Sequence, residues 1–121
     1  MPPKKVNLFA YLEDEAALEE VLSRGMVNAD QVDSDLNTPL HVACKKNLLG
    51  AATILLRHGA TVDASCNSMR AIHYAILMAP EICKVLLACD ACIFSPNPQG
   101  ISPLQLVEKR NDLQLAQLFA R

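Results

Sequence analysis

Two pairs of residues in this 121-residue chain have types and spacing that could do chemistry. Cys89 and Cys92 form a Cys-x-x-Cys, the spacing of half a zinc site or of a redox dithiol. His41 and His73 could offer imidazole to a metal or to a proton in transfer. Neither pair is completed. A four-ligand site needs a second Cys-x-x-Cys or a pair of histidines at ligand spacing, and the sequence has neither. It also lacks the Gly-rich phosphate loops and the Gly-x-Ser-x-Gly nucleophile turn, and has only four glycines from which to build them. No catalytic set converges and no cofactor is implied. A cysteine-based metal or redox protein using Cys89, Cys92 and Cys66 stands as the alternative reading.

The histidines are periodic rather than clustered. Thr38-Pro39-Leu40-His41, followed by Ala43, returns as Arg70-Ala71-Ile72-His73 with Ala75, and as Ser102-Pro103-Leu104-Gln105 with Val107. Each recurrence lies 32 residues after the last. Thr38 and Ser102 are residues that cap helix starts, and Pro39 and Pro103 suit a first helical turn. Leu40, Ala43 and Cys44 then share one helical face. A second apolar helix follows at 51–56, and Gly59 stands where a left-handed cap ends it. The alternation over 60–64 predicts a short extended segment leading onward. In the third copy Asp90 replaces the terminal glycine, and Pro80 separates the two helices of the copy. Gly25 marks the end of an earlier helix at 13–24, with Leu18, Val21 and Leu22 inward and an acidic run outward. Near the C-terminus a helix at 113–120 presents Gln114, Gln117 and Arg121 on one side.

This pattern resembles the ankyrin repeat, whose period of about 33 residues carries T-P-L-H-x-A. The resemblance covers residues 5 to 121. It implies an all-α solenoid of stacked helix-turn-helix units with short β-hairpin fingers. Four units, including two caps, fall at 5–33, 34–65, 66–97 and 98–121 in a single domain. It also implies that His41 and His73 bond to backbone and to the capping hydroxyl and tie neighbouring units together, with the Gln105 amide taking the same task.

Composition agrees. Hydrophobic residues make up 51% of the chain and charged residues 20%, which excludes a disordered polar segment. The apolar residues are mostly Ala, Leu, Val and Ile, which suits thin stacked layers. A net charge of −2 gives no global attraction to nucleic acid or to anionic membrane. The apolar stretches at 48–56 and 71–79 are too short to span a bilayer. Met1-Pro2-Pro3-Lys4-Lys5 is not followed by an apolar run before the acidic residues from Glu13, so no secretory leader is expected. Five cysteines without an export signal point to a reducing compartment, cytoplasmic or nuclear.

The family binds mainly through hairpin tips and the exposed side of each first helix. In this register the tips are Asp35 and Asn37, then Cys66, Asn67 and Met69, then Gln99 and Ile101. The helix positions are Lys45 and Lys46, then Leu77 and Met78, then Lys109 and Arg110. They form an apolar centre between two basic patches, the arrangement of a protein-binding surface. The expectation is a non-catalytic, monomeric interaction module, acting alone or as an adaptor subunit. Its partner is a protein, acidic and with an apolar anchor, rather than a small-molecule substrate. Nucleic acid is a weaker candidate because stacking aromatics are missing. The competing expectation for Leu77 and Met78 is that they tuck into the turn before Pro80.

Overall fold

The computed structural model describes residues 7–25, 27–66 and 69–119. After a four-residue 3-10 turn (Leu8–Tyr11), seven helices follow among the described residues: α1 (Glu15–Ser23), α2 (Pro39–Lys46), α3 (Leu49–Arg57), α4 (Ala71–Met78), α5 (Pro80–Ala88), α6 (Pro103–Arg110) and α7 (Leu113–Phe119). Two short strands, β1 (Ser65–Cys66) and β2 (Met69–Arg70), pair antiparallel between α3 and α4, Ser65 opposite Arg70 and Cys66 opposite Met69. An inner row packs α2 on α4 and α4 on α6, while an outer row packs α1 on α3 and α3 on α5. The fold is therefore a stack of helix pairs, all-α apart from one finger.

Local chemistry explains the starts and stops. The Thr38 hydroxyl accepts from the His41 backbone N–H at 3.3 Å, and Pro39 opens α2. Ser102 and Pro103 repeat the device on α6, where the Ser102 hydroxyl accepts from the Gln105 N–H at 3.2 Å. Both helices end in a left-handed asparagine, Asn47 (φ 57°) and Asn111 (φ 53°), a conformation Asn tolerates better than most residues. Gly25, Gly59 and Asp90 close the outer helices in the same conformation, with φ of 67°, 88° and 62°. Asp90 thus does the work of glycine. α4 has no side-chain cap at Arg70, and its helix pair is joined by Ala79 alone where Asn47 and Leu48 join α2 to α3.

Small residues set the layer spacing. Ala43, Ala75 and Val107 recur at one position of the inner helices and are all buried. Leu40, Ile72, Leu55, Ile82, Leu86 and Leu115 fill the seam between the rows. At the α1–α3 junction Gly50 admits the Glu15 carboxylate so closely that a Cβ there would overlap it. The carboxylate lies against the start of α3, which has no side-chain cap of its own, and helix N-termini favour negative charge.

Two expectations need correction. Residues 60–64 form a turn around Val62 and Asp63 rather than an extended segment, and pairing begins only at Ser65. The other two fingers are loops closed by side chains. Asp33 Oδ1 accepts from the N–H groups of Asp35 and Asn37, each at 2.9 Å, and Asn97 Oδ1 accepts from those of Gln99 (2.9 Å) and Ile101 (3.0 Å).

Candidate functional site

The last turns of α2, α4 and α6 lie side by side along the inner row and carry Lys45–Lys46, Leu77–Met78 and Lys109–Arg110. Leu77 and Met78 are 44% and 53% exposed, so they do not tuck into the turn before Pro80. The buried face of α4 is instead Ala71, Ile72, His73, Ala75 and Ile76. Lys109, Arg110 and Lys46 are exposed as well.

Lys45 departs from that row. Its ammonium donates to Asn37 Oδ1 at 3.0 Å and stands 4.6 Å from the centre of the Tyr74 ring. A cation over an aromatic face gains about 0.5–1 kcal/mol at an exposed site, enough to hold the side chain down. The basic patch on α2 is therefore Lys46. Tyr74, which the sequence pattern does not single out, also meets the His41 ring edge-on, with centroids 6.0 Å apart.

The finger residues divide similarly. Asp35 and Gln99 are exposed. Asn37 is 8% exposed, since its N–H is tied back to Asp33 and its amide oxygen receives Lys45; it is a support rather than a tip. Ile101 is half-buried against the core, and Met69 is half-buried in β2, its carbonyl engaged. Asn67 lies outside the described residues, as do Arg121 and the Cys66 side chain.

Both candidate histidines are fully buried, and their geometry is that of ties between units. His41 Nδ1 lies 2.7 Å from the Thr38 hydroxyl and 3.3 Å from the Thr38 N, accepting from them. Its Nε2 donates to the Met69 carbonyl at 3.0 Å in the next finger. His73 Nδ1 accepts from the Arg70 N–H at 3.0 Å, and its Nε2 donates to the Ser95 carbonyl at 3.0 Å. This network fixes the neutral Nε2–H tautomer at both positions. Burial, the largest influence, lowers both pKa values below the ordinary imidazole value. Gln105 keeps only the local half of the motif: its amide oxygen accepts from the Ser102 N–H at 2.9 Å while the side chain is exposed.

A second set of ties is missed by the motif reading. Asp30 accepts from the Thr61 N–H and hydroxyl at 2.8 and 2.7 Å, and Asp63 accepts from the Cys92 N–H at 2.9 Å. The two aspartates stand 33 residues apart, a spacing that could have revealed them. On the outer row Glu19 binds Arg57 at 2.6 Å and His58 at 3.0 Å, which takes one carboxylate out of the acidic run. The His58 contact leads the causes that lower its pKa.

The four described cysteine side chains do not assemble. Cys44 and Cys83 are buried free thiols whose pKa burial pushes up to about 12. Cys89 caps α5 on the surface, and Cys92 enters the following loop. The Ser95 hydroxyl, 3.3 Å from Cys92 Sγ, is the main cause lowering the Cys92 pKa. Among the described residues no group of three or more His, Cys, Asp or Glu gathers as metal ligands would, and no helix is long and apolar enough to cross a membrane.

A stack of capped helix pairs, tied at fixed intervals by buried imidazoles and presenting one continuous row of inner-helix ends, defines a repeat protein. A family model of ankyrin repeats, in three copies, matches residues 7–99. The chain belongs to the ankyrin-repeat family. α6 and α7 lie beyond the matched residues and repeat the helix pair once more. No curated protein matches the chain. Ankyrin repeats are generally protein–protein interaction modules.

Proposed function

We propose that the chain is a non-catalytic module that binds, scaffolds or inhibits a partner protein through its finger tips and the inner-helix row. The observation that carries this reading is the exposure of Leu77 and Met78 at the centre of the row, with Lys46 on one side and Lys109 and Arg110 on the other. Two large apolar residues kept at the end of a helix whose other face is buried contribute little to the fold. Covered by a partner, each is worth about 1.5–3 kcal/mol. The flanking cations steer an acidic partner and set its orientation, adding more to association rate than to affinity. The test is the double variant Leu77→Asp/Met78→Asp in affinity capture against the intact chain. Native helicity with lost capture supports the surface; native helicity with unchanged capture removes it.

A further inference from the structure

The first unit is not like the others. Where α2, α4 and α6 each run eight residues, its described residues have only the four-residue turn Leu8–Tyr11 at that place. The missing helical length leaves a hollow of 530 Å³ beside α2. Phe9, Val32 and Val42 supply its apolar lining and Lys46 its cation. Gln31 Oε1 accepts from the Leu8 N–H at 2.7 Å and so holds the turn against the first finger. Phe9 and Val42 pack on the core beneath, while Val32 is 50% exposed.

The hollow's lining carries one carboxylate, Asp33, and one cation, Lys46, and the two do not pair. Asp33, the carboxylate in the lining, already accepts two backbone N–H groups of its own finger. Lys45 is turned toward Asn37 and Tyr74. Lys46 is exposed and, among the described residues, pairs with no carboxylate. The same finger carries Leu36, 61% exposed and held at φ 67°, where the last finger has Gly100 at φ 79°. An exposed leucine in left-handed backbone is a local strain that the stack does not need, and such strain clusters at binding surfaces.

We infer that this hollow receives an apolar side chain from an extended segment of the partner protein, with a carboxylate next to that side chain lying against Lys46 and Leu36 closing over the segment. The inference rests on the reading of the chain as a protein-interaction module and adds the chemistry of what is bound. An apolar lining with one oriented polar group is the usual composition of a side-chain pocket. Lys46, without a carboxylate partner among the described residues, favours a negative neighbouring residue.

The experiment is a random-peptide display selection against the whole chain, with recovered peptides resynthesised and titrated by fluorescence anisotropy. The expected peptides carry a large apolar residue beside Asp or Glu. Lys46→Glu should weaken them about fivefold or more and abolish most of their salt dependence, and Val32→Asp should weaken them about tenfold. Both positions are exposed, so circular dichroism stays native. Peptides without a carboxylate, peptides indifferent to both variants, or a selection that returns none overturn the inference. Recovered peptides that depend on Leu77 and Met78 instead overturn it while leaving the module reading intact. A dimer in sedimentation that Lys46→Glu dissolves places a second copy of the chain in the hollow and overturns it too.

Discussion

Replacing His41 with leucine tests whether the buried imidazoles are ties between units. Leucine approximates the volume, so the change removes hydrogen bonds and the edge-on contact with Tyr74 rather than opening a cavity. It strands the Thr38 N–H and the Thr38 hydroxyl proton on one side, the hydroxyl oxygen keeping the backbone N–H of residue 41, and the Met69 carbonyl on the other. Thr38 is 6% exposed, so its groups bear nearly the full cost of a buried orphan, about 1–3 kcal/mol; the half-buried Met69 bears less. The sum is a loss of about 2–4 kcal/mol, a large share of a stability of about 5–15 kcal/mol. Gln105→Leu, at the equivalent but exposed position, should cost about 0.5 kcal/mol or less. Urea unfolding followed by far-UV circular dichroism measures both. A His41→Leu loss under about 1 kcal/mol, or one equal to that of Gln105→Leu, refutes the reasoning. The pH dependence is a second reading of the same network. Burial lowers both histidine pKa values in the folded state, so the unfolded chain binds protons first as pH falls through about 6.5. Stability contributed by the neutral rings is complete above that pH. It declines below it by at most about 1.4 kcal/mol per pH unit for each histidine, until the folded-state pKa is reached. His41→Leu/His73→Leu should flatten this slope.

The strained finger and the thiols give two further expectations. Leu36→Gly removes a left-handed leucine costing about 1–2 kcal/mol and returns about 0.5–1 kcal/mol as unfolded-state freedom, so thermal unfolding should rise by a few degrees while peptide affinity falls. A lower melting temperature would show that Leu36 supports the fold. In a Cys66→Ser background, maleimide labelling of the folded chain should modify Cys89 and Cys92 and spare Cys44 and Cys83, which are buried and carry thiol pKa values near 12. Rapid labelling of all four would contradict the burial of the stack.

The helix pairs were legible because their signals are local. Thr38-Pro39 and Ser102-Pro103 specify helix starts within four residues, and Gly25, Gly59 and Asp90 specify stops through one backbone angle each. Asn47 and Asn111 carry an equally local stop signal, which attention to glycine alone passes over. The site was less legible because exposure is decided across units. Lys45 and Lys46 are adjacent and chemically identical, yet Tyr74, one unit on, captures the first and leaves the second free. Asn37 reads as a polar fingertip until Asp33 bends the loop back and Lys45 covers its amide. The hollow beside α2 comes from a helix that is shortened, and a shortened helix leaves no motif to find.

The departures from the repeat pattern coincide with the candidate binding features, and helix electrostatics explains why that is informative. α2 and α6 end in paired cations, which complement the negative end of the helix dipole by about 0.3–1 kcal/mol each at low salt. α4 ends in Leu77 and Met78, forgoes that stabilisation and exposes apolar surface to water. Its unit also lacks the Thr-Pro start and has a shorter helix–helix turn. A chain under selection for stability alone has better options at those two positions, since the same row supplies lysine and arginine on either side. The proposed binding surface, covered for part of the time by a partner, would account for an apolar helix end kept between two basic ones.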